Sequence, residues 1–113
     1  MGLGSLATIG IQKPANLGVI VFDNGAYGET GAQPSHTARG VDMVEVASGC
    51  GFATCLDVSD EAGLADLNAR LKHLDALLFA RVAIRLDEPP RVLPERDGTA
   101  LKRRFRAALG LAP

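Results

Sequence analysis

Hydrophobic and polar positions alternate in blocks along the chain, and these blocks predict its helices and strands. Residues 3–12 place apolar side chains at helical spacing and predict a short helix, which Pro14 and its neighbours end. Residues 17–22 (LGVIVF) are almost wholly apolar, which is typical of a strand buried on both faces of a parallel sheet. Residues 24–40 are rich in glycine and small polar residues, so they predict a long loop that can include a helical turn.

The second half of the chain continues this alternation of helices and apolar strands. The hydroxyl of Ser59 can cap a helix, and the acids that follow it oppose the positive end of the helix dipole. The last helix carries Leu101, Phe105 and Leu109 on one face. The predicted elements are a helix over residues 41–49, a strand over 52–58, a helix opened by Ser59-Asp60-Glu61 with Leu64, Leu67, Leu71 and Leu74 on one face, a strand over 76–84 ended by Glu88-Pro89-Pro90, and a helix from Thr99.

This order of elements predicts an α/β fold, a three-layer, doubly wound parallel sheet, in a single domain over residues 1–113. Crossovers between parallel strands are expected to be right-handed. The chain opens on a helix rather than on the strand that would usually feed it. We therefore expect a sheet truncated at its N-terminal edge, with an exposed hydrophobic flank that an oligomer would cover.

Composition and charge narrow the classes of function. The formal net charge is −1, and the local excess of basic residues over 85–106 contains a single aromatic residue, Phe105, so it indicates a solvated face rather than a nucleic-acid or membrane site. No signal peptide or long apolar span is visible, so a cytoplasmic location is expected. In that reducing compartment Cys50 and Cys55 are expected to be small buried hydrophobic residues rather than a disulfide or a zinc site.

The first apolar strand runs directly into Asp23-Asn24-Gly25. Ligands of open parallel sheets bind outside the carboxyl ends of the strands, and an asparagine oxygen suits a hard cation such as Mg²⁺. Glycines let backbone groups turn toward a ligand, and a diphosphate could supply further oxygens. The alternative is a plain chain reversal, because Asn and Gly tolerate the left-handed region. A generic nucleotide site is disfavoured, since neither G-x-G-x-x-G nor a Walker lysine is present.

Residues 4–42 (GSLATIGIQKPANLGVIVFDNGAYGETGAQPSHTARGVD) resemble the C-terminal diphosphate-binding domain of thiamine diphosphate (ThDP) enzymes. Within that superfamily they are most similar to the phosphonopyruvate and sulfopyruvate decarboxylases. The family signature is G-D-G, one βα unit and then N-N or D-N, and its second half stands here as Asp23-Asn24-Gly25. The resemblance implies part of a 2-oxoacid decarboxylase with ThDP and Mg²⁺ as cofactors and a small anionic 2-oxoacid as substrate.

The resemblance also implies roles for the residues that follow the strand. Asn24 would give its side-chain oxygen to Mg²⁺, and Ala26 would give its backbone carbonyl to the same ion. Asp23, also at the cofactor, would brace the turn rather than bind the metal. The other residues implied to lie at the cofactor are Gly25, Tyr27 and Gly28 beside the diphosphate and Glu29 near the mouth of the substrate pocket.

Two residues of the following loop are further candidates. His36, in Ser35-His36-Thr37, is a candidate catalytic proton donor or a contact for a phosphonate or sulfonate; the alternative is an exposed loop histidine. Arg39 is a candidate partner for an anionic substrate tail, and the alternative is a surface role. His73, at the end of a helix, is expected to be structural.

The chain departs from the family pattern in two respects. G-D-G would fall upstream of Met1, and with it the aspartate that is the family's other protein ligand to the metal. The pyrimidine-binding domain, whose glutamate activates the cofactor, is also missing. We therefore expect either a truncated product or one subunit whose partner, a pyrimidine-binding domain or subunit, supplies the rest, in a homo- or hetero-oligomer. The chain alone is expected to be inactive; the alternative function is a non-catalytic ThDP-fold domain used in assembly or binding.

Overall fold

The computed structural model describes residues 2–87, 90 and 92–111, and within them helices flank a parallel sheet. Glu88 and Pro89, which form part of the predicted end of the third strand, lie outside the described residues. The helices and strands are α1 (Leu3–Gln12), β1 (Gly18–Asp23), β2 (Ala26–Tyr27), β3 (Gln33–Pro34), α2 (Met43–Gly49), β4 (Thr54–Val58), α3 (Glu61–Leu71), β5 (Leu78–Ala83) and α4 (Gly98–Ala108).

The three long strands form a parallel sheet in the order β1-β5-β4, which confirms the predicted α/β class. β5 is central and pairs with both neighbours, so that Arg81 lies beside Val21 on one side and beside Asp57 on the other. Since all three strands run in the same direction, their carboxyl ends meet at one edge. The predicted long loop contains β2 and β3, a short antiparallel pair, and two single 3-10 turns.

Hydrophobic side chains cover both faces of the sheet, so the described part of the chain has the predicted three layers. On one face Phe79 of β5 is fully buried and packs with Leu6 of α1 and Ala47 of α2. Phe52 meets Phe79 edge to face, with ring centroids 5.8 Å apart, a favourable aromatic geometry. On the other face, Leu67 of α3 packs on a buried cluster. The buried members of this second cluster are Val58, Leu67, Leu78, Ala80 and Val82.

β1 departs from its prediction as a strand buried on both faces. Val19 and Val21 pack against the core, but the side chains that alternate with them are exposed, Ile20 to 36% and Phe22 to 67%. These side chains are exposed because β1 is an edge strand. The helix on that face of the sheet, α3, packs on β4 at the opposite edge. An exposed hydrophobic flank, which the sequence analysis expected, is therefore present along β1.

Aspartates cap three of the helices, α2, α3 and α4, and at α3 the cap is not the predicted hydroxyl of Ser59. The Asp60 carboxylate accepts the Gly63 N–H at 2.8 Å at the start of α3, so the prediction for Ser59 was wrong. Asp42 caps α2 and Asp97 caps α4 in the same way. The carboxylate of an aspartate accepts hydrogen bonds from the free N–H groups, and its negative charge complements the positive end of the helix dipole.

α4 confirms the last predicted helix, although it begins at Gly98 rather than Thr99. Its apolar face is not used for packing, since Leu101 is 37%, Phe105 66% and Leu109 58% exposed. Most stabilising burial therefore lies in the sheet and in α1–α3. None of the helices in the described ranges is long and apolar enough to cross a membrane.

The two cysteines behave as small hydrophobic residues, as expected. Both are free and half-buried, and both pack at the margin of the cluster around Phe79. Burial, together with the nearby charge of Glu45, raises the pKa of the Cys55 thiol. Cys55 is therefore an uncharged packing residue at neutral pH.

Candidate functional site

Three charged side chains meet on one face of the sheet where the strands end. Asp23 ends β1, Arg81 lies on the central strand β5, and Asp57 lies beside Arg81 on β4. The Arg81 Nε donates to the Asp23 Oδ2 at 2.7 Å, and the Arg81 Nη1 donates to the Asp57 Oδ1 at 2.8 Å. One guanidinium therefore joins the carboxyl ends of all three parallel strands.

The Asp23 carboxylate is committed to bonds within the chain. Its Oδ1 accepts the Gly25 N–H at 2.9 Å and the Thr37 hydroxyl at 2.7 Å, while its Oδ2 accepts Arg81. The Thr37 hydroxyl also lies 2.7 Å from the Ser35 hydroxyl. The Asp23 side chain is only 7% exposed. These contacts suit a residue that braces the turn, since both of its oxygens already have partners.

Electrostatics keeps this aspartate ionised. Burial by itself raises the pKa of Asp23, but the hydrogen bonds from Arg81, Thr37 and Gly25 outweigh burial and hold that pKa below its usual value. The hydrogen bond to Asp23 in turn raises the pKa of Arg81, and the bond to Asp57 adds to the shift. The site therefore holds a fixed ion pair at neutral pH.

The turn after β1 is built on local polar contacts. Gly25 has φ +69°, in the left-handed region that glycine adopts at little cost. The Asn24 Oδ1 accepts the Ala26 N–H at 3.0 Å, and the Gly25 carbonyl accepts the Ser35 N–H at 2.9 Å. Pro34, which lies opposite Ala26 in the β2–β3 pair, has no N–H to donate to the Ala26 carbonyl. The turn thus brings the Asn24 oxygen and the Ala26 backbone to the carboxyl edge.

The donor chemistry of this turn fits a magnesium diphosphate. An amide oxygen has two lone pairs, so the Asn24 Oδ1 retains one after accepting the Ala26 N–H. The part of the chain that the structure describes holds no cluster of three or more His, Cys, Asp or Glu side chains that could bind a metal. A hard cation held by the Asn24 oxygen and the Ala26 carbonyl would take its other ligands from phosphate and water, as Mg²⁺ commonly does. Gly28 lies beside the Asn24 amide, where a Cβ would stand 3.9 Å from its nitrogen.

Tyr27 and His36 form a second polar pair near the turn. The Tyr27 hydroxyl lies 3.0 Å from the His36 Nδ1, and the two rings meet edge to face. Together with Asp23 they line a cleft of about 140 Å³. The other residues that line this cleft are Leu3, Ser35, Thr37, Val41 and Met43. The cleft therefore joins the end of β1 to the loop that carries His36.

Other candidates from the sequence lie outside this cleft. Glu29 is exposed on the 3-10 turn Gly28–Thr30, and Arg39 is exposed at the end of the turn Thr37–Arg39. His73 is exposed after α3 and lines a different cleft near the amino ends of the strands, beside Thr54 and Leu78. The structure thus brings Asp23, Tyr27 and His36 together but not Glu29 or Arg39.

Arg81 is the residue of this site that the sequence analysis missed. Residues 76–84 were interpreted only as an apolar strand, although they carry one charge, that of Arg81. The signal was available, because an isolated arginine in a central strand must find carboxylate partners. Its partners, Asp23 and Asp57, are 58 and 24 residues away in sequence, and only the strand order identifies them.

Several curated proteins are similar to this chain. The β subunit of sulfopyruvate decarboxylase from Methanocaldococcus jannaschii is 36% identical over 110 residues, which cover 91% of this chain and 58% of that protein. Phosphonopyruvate decarboxylase from Streptomyces viridochromogenes is 36% identical over 118 residues, which cover all of this chain and 28% of that protein. Sulfopyruvate decarboxylase from Methanosarcina acetivorans is 32% identical over 85 residues, 75% of this chain and 22% of that protein.

The matched region spans 58% or less of the length of these three relatives. No protein-family model matches the chain, and no solved structure matches it. The similarity to these decarboxylases therefore concerns a part of their length, and for the first two relatives, which match 91% and 100% of this chain, that part includes the turn after β1.

Proposed function

Because the chain is a homologue of sulfopyruvate decarboxylase β subunits and phosphonopyruvate decarboxylases, we propose that it is the diphosphate-binding portion of a ThDP-dependent 2-oxoacid decarboxylase. The observation that carries the proposal is the Asp23-Asn24-Gly25 turn, braced at the carboxyl edge of a parallel sheet. Sulfopyruvate and phosphonopyruvate are the proposed substrates, since both are small 2-oxoacids with an anionic tail.

In this proposal Asn24 and Ala26 hold Mg²⁺ through a side-chain oxygen and a backbone carbonyl. Gly25, Tyr27 and Gly28 lie along the diphosphate, where the glycines leave room for it. ThDP, when bound, supplies an electron sink for the carbanion left by decarboxylation. The chain's own residues orient the diphosphate end and keep it fixed at the strand edge.

His36, on the loop after the turn, is proposed to contact the substrate as a proton donor or as a partner for its anionic tail. Its Nδ1 is paired with the Tyr27 hydroxyl, so Nε2 is the ring nitrogen left for a proton transfer or an anion contact. Glu29 is proposed to lie near the mouth of the substrate pocket, and the exposed Arg39 is proposed as the cationic partner of the anionic substrate tail.

We propose that a second chain or segment supplies the pyrimidine-binding part. One relative is named as a β subunit, and the chain spans only part of each relative. Mixing the chain with a pyrimidine-binding subunit and either acid should release CO₂, whereas the chain alone should release none. Decarboxylation by the chain alone would contradict this division of labour.

Isothermal titration with ThDP in excess MgCl₂ tests the binding half of the proposal. The wild-type chain should bind, and Asn24→Ala should weaken binding about tenfold or more, because the cation loses its one side-chain ligand. Asn68→Ala is the matched control, since Asn68 is exposed on α3. Absence of heat at millimolar ligand, or equal affinities for the two variants, would contradict the proposal.

A non-catalytic ThDP-fold domain is the second candidate. It is favoured by one contact: the Asn24 Oδ1 already accepts the Ala26 N–H, so the turn is complete without a ligand. Asn24→Asp separates the two functions, because it keeps the turn contact and an oxygen for the metal. Binding of Mg²⁺ and ThDP by Asn24→Asp but not by Asn24→Ala would favour the cofactor site.

A further inference from the structure

We propose that Arg81 is a positioning residue for the cofactor turn, acting through Asp23 rather than touching the ligand itself. The inference rests on the proposed function, since it assigns the turn to a magnesium diphosphate. Nothing in the sequence pattern of strand 76–84 gives Arg81 this role. Its basis is the set of contacts that links β5 to Gly25.

The Arg81 guanidinium is held by two carboxylates. Arg81 donates its Nε to Asp23 and its Nη1 to Asp57, and its side chain is only 29% exposed. The two partners differ, because the Asp57 side chain is 58% exposed and that of Asp23 only 7%. A pair with an exposed carboxylate contributes little, whereas a buried carboxylate depends on its partner. Arg81 is therefore expected to fix the position of the Asp23 carboxylate rather than that of Asp57.

Asp23 links Arg81 to the turn through hydrogen bonds. With its Oδ2 held by Arg81, Asp23 presents its Oδ1 to the Gly25 N–H and the Thr37 hydroxyl. Gly25 opens the turn, and Thr37 lies beyond β3 at the other end of the loop. One carboxylate thus holds the loop at Gly25, which lies between Asn24 and Ala26, and again at Thr37.

Arg81 is not suited to bind an anion. Asp23 and Asp57 both pair with it, so the local group carries a net negative charge at neutral pH. Asp42 also lines the cleft of about 240 Å³ beside Arg81 and adds a further negative charge. A diphosphate or an anionic substrate tail would be repelled there, which leaves positioning as the role of this arginine.

The experiment compares Arg81→Gln, Arg81→Lys and the wild-type chain, with Arg70→Gln as the matched control. Arg70 makes a similar contact, Nε to the Asp66 Oδ2 at 2.8 Å, but within α3 and about half exposed. Amide hydrogen exchange of Gly25 is measured in the chain without ligand, and the core amide of Phe79 serves as a reference. Affinity for ThDP with Mg²⁺ is then measured by titration.

We expect Arg81→Gln to speed exchange at Gly25 roughly tenfold while Phe79 stays protected, and to weaken ThDP binding by a similar factor. Arg81→Lys should recover part of both losses, because it keeps a cation beside Asp23, and Arg70→Gln should match the wild type. If Arg81→Gln fails to fold, Arg81→Lys alone must still differ from wild type in the same direction. Wild-type exchange at Gly25 in a folded Arg81 variant would overturn the inference.

The two readouts keep this inference separate from the proposed function. If the wild-type chain does not bind ThDP, the proposed function fails, while exchange at Gly25 still decides whether Arg81 positions the turn. If the wild-type chain and a folded Arg81→Gln variant bind ThDP with equal affinity, Arg81 does not contribute to cofactor binding. That result would overturn the inference.

Discussion

At the scale of single residues, the turn after β1 depends on one buried carboxylate. The Asp23 carboxylate accepts hydrogen bonds from an arginine, a backbone N–H and a hydroxyl. It is the only buried charged residue among those described. A residue with so many partners cannot be replaced without leaving several of them unpaired.

Asp23→Asn should destabilise the chain in a pH-dependent manner. Because the pKa of Asp23 is lowered in the folded chain, its contribution is present above the ordinary aspartate pKa of about 3.9 and is lost as the pH falls through the lowered value. At pH 6 the loss should reach about 3–5 kcal/mol, the cost of breaking a buried ion pair. The measurement is the free energy of unfolding in urea at pH 6, 5, 4 and 3.

The control for this comparison is Asp66→Asn, which breaks a half-exposed pair with Arg70 and should cost about 0.5 kcal/mol or less. The gap between wild type and Asp23→Asn should narrow toward pH 3. A gap that is constant across this range would show that the charge of Asp23 does not contribute.

Sequence reasoning at this scale identified the turn but not its support. Asn24, Gly25 and Ala26 stand next to each other, so local turn chemistry was visible in the sequence. The link from Asp23 to Arg81 joins strands that are neighbours only after the chain has crossed over the sheet. The residue that caps α3 was also missed, because Ser59 and Asp60 are both good capping residues and only the backbone geometry selects one.

At the scale of elements, the contact between α1 and the end of α2 is close. Gly10 is buried in α1, and a Cβ placed on it would overlap the backbone carbonyl oxygen of Cys50. The two helices therefore approach as near as backbone atoms allow. Leu6, one turn earlier in α1, packs in the cluster around Phe79, so this approach also fixes the core.

Gly10→Ala should separate the helices and lower the free energy of unfolding by about 1–3 kcal/mol, as overpacking commonly does. Gly4→Ala is the matched control in the same helix. A Cβ at Gly4 would meet open space, so that variant should gain up to about 1 kcal/mol from helix propensity. Thermal unfolding followed by circular dichroism measures both, and equal stabilities would contradict the close approach.

The elements themselves were largely predictable, because apolar runs and helical spacing are local signals. All three long strands and all four helices lie where the pattern placed them, with shifts of a few residues at their ends. The short β2–β3 pair was not predicted, since two-residue strands leave no periodicity in the sequence.

At the scale of the whole molecule, the two faces of β1 differ in burial. Strand order decides this difference, and a single apolar run cannot show it. For the same reason the exposed apolar face of α4 could not be foreseen, since Leu101, Phe105 and Leu109 have the spacing of a packed helix. The hydrophobic pattern of the sequence predicts which side chains share a face, whereas the elements packed against that face decide which of those side chains are buried.

Two phenylalanines on adjacent strands test this distribution of the core. Phe79→Ala should cost about 3–5 kcal/mol, because Phe79 is fully buried between the sheet and α1–α2. Phe22→Ala should cost about 1 kcal/mol at most, since its ring is 67% exposed. Urea unfolding measures both, and comparable losses would mean that the β1 flank is covered in solution.

The most direct test of the account locates the cation itself. Mn²⁺ replaces Mg²⁺ in a titration of the ¹⁵N-labelled chain with ThDP, and paramagnetic broadening marks the amides that lie near the ion. We expect signals from Asn24, Gly25 and Ala26 to broaden first, and only when ThDP is present. Broadening that is independent of ThDP, or that centres on the exposed acids of α3, would contradict the assignment of residues 23–26 as the cofactor turn.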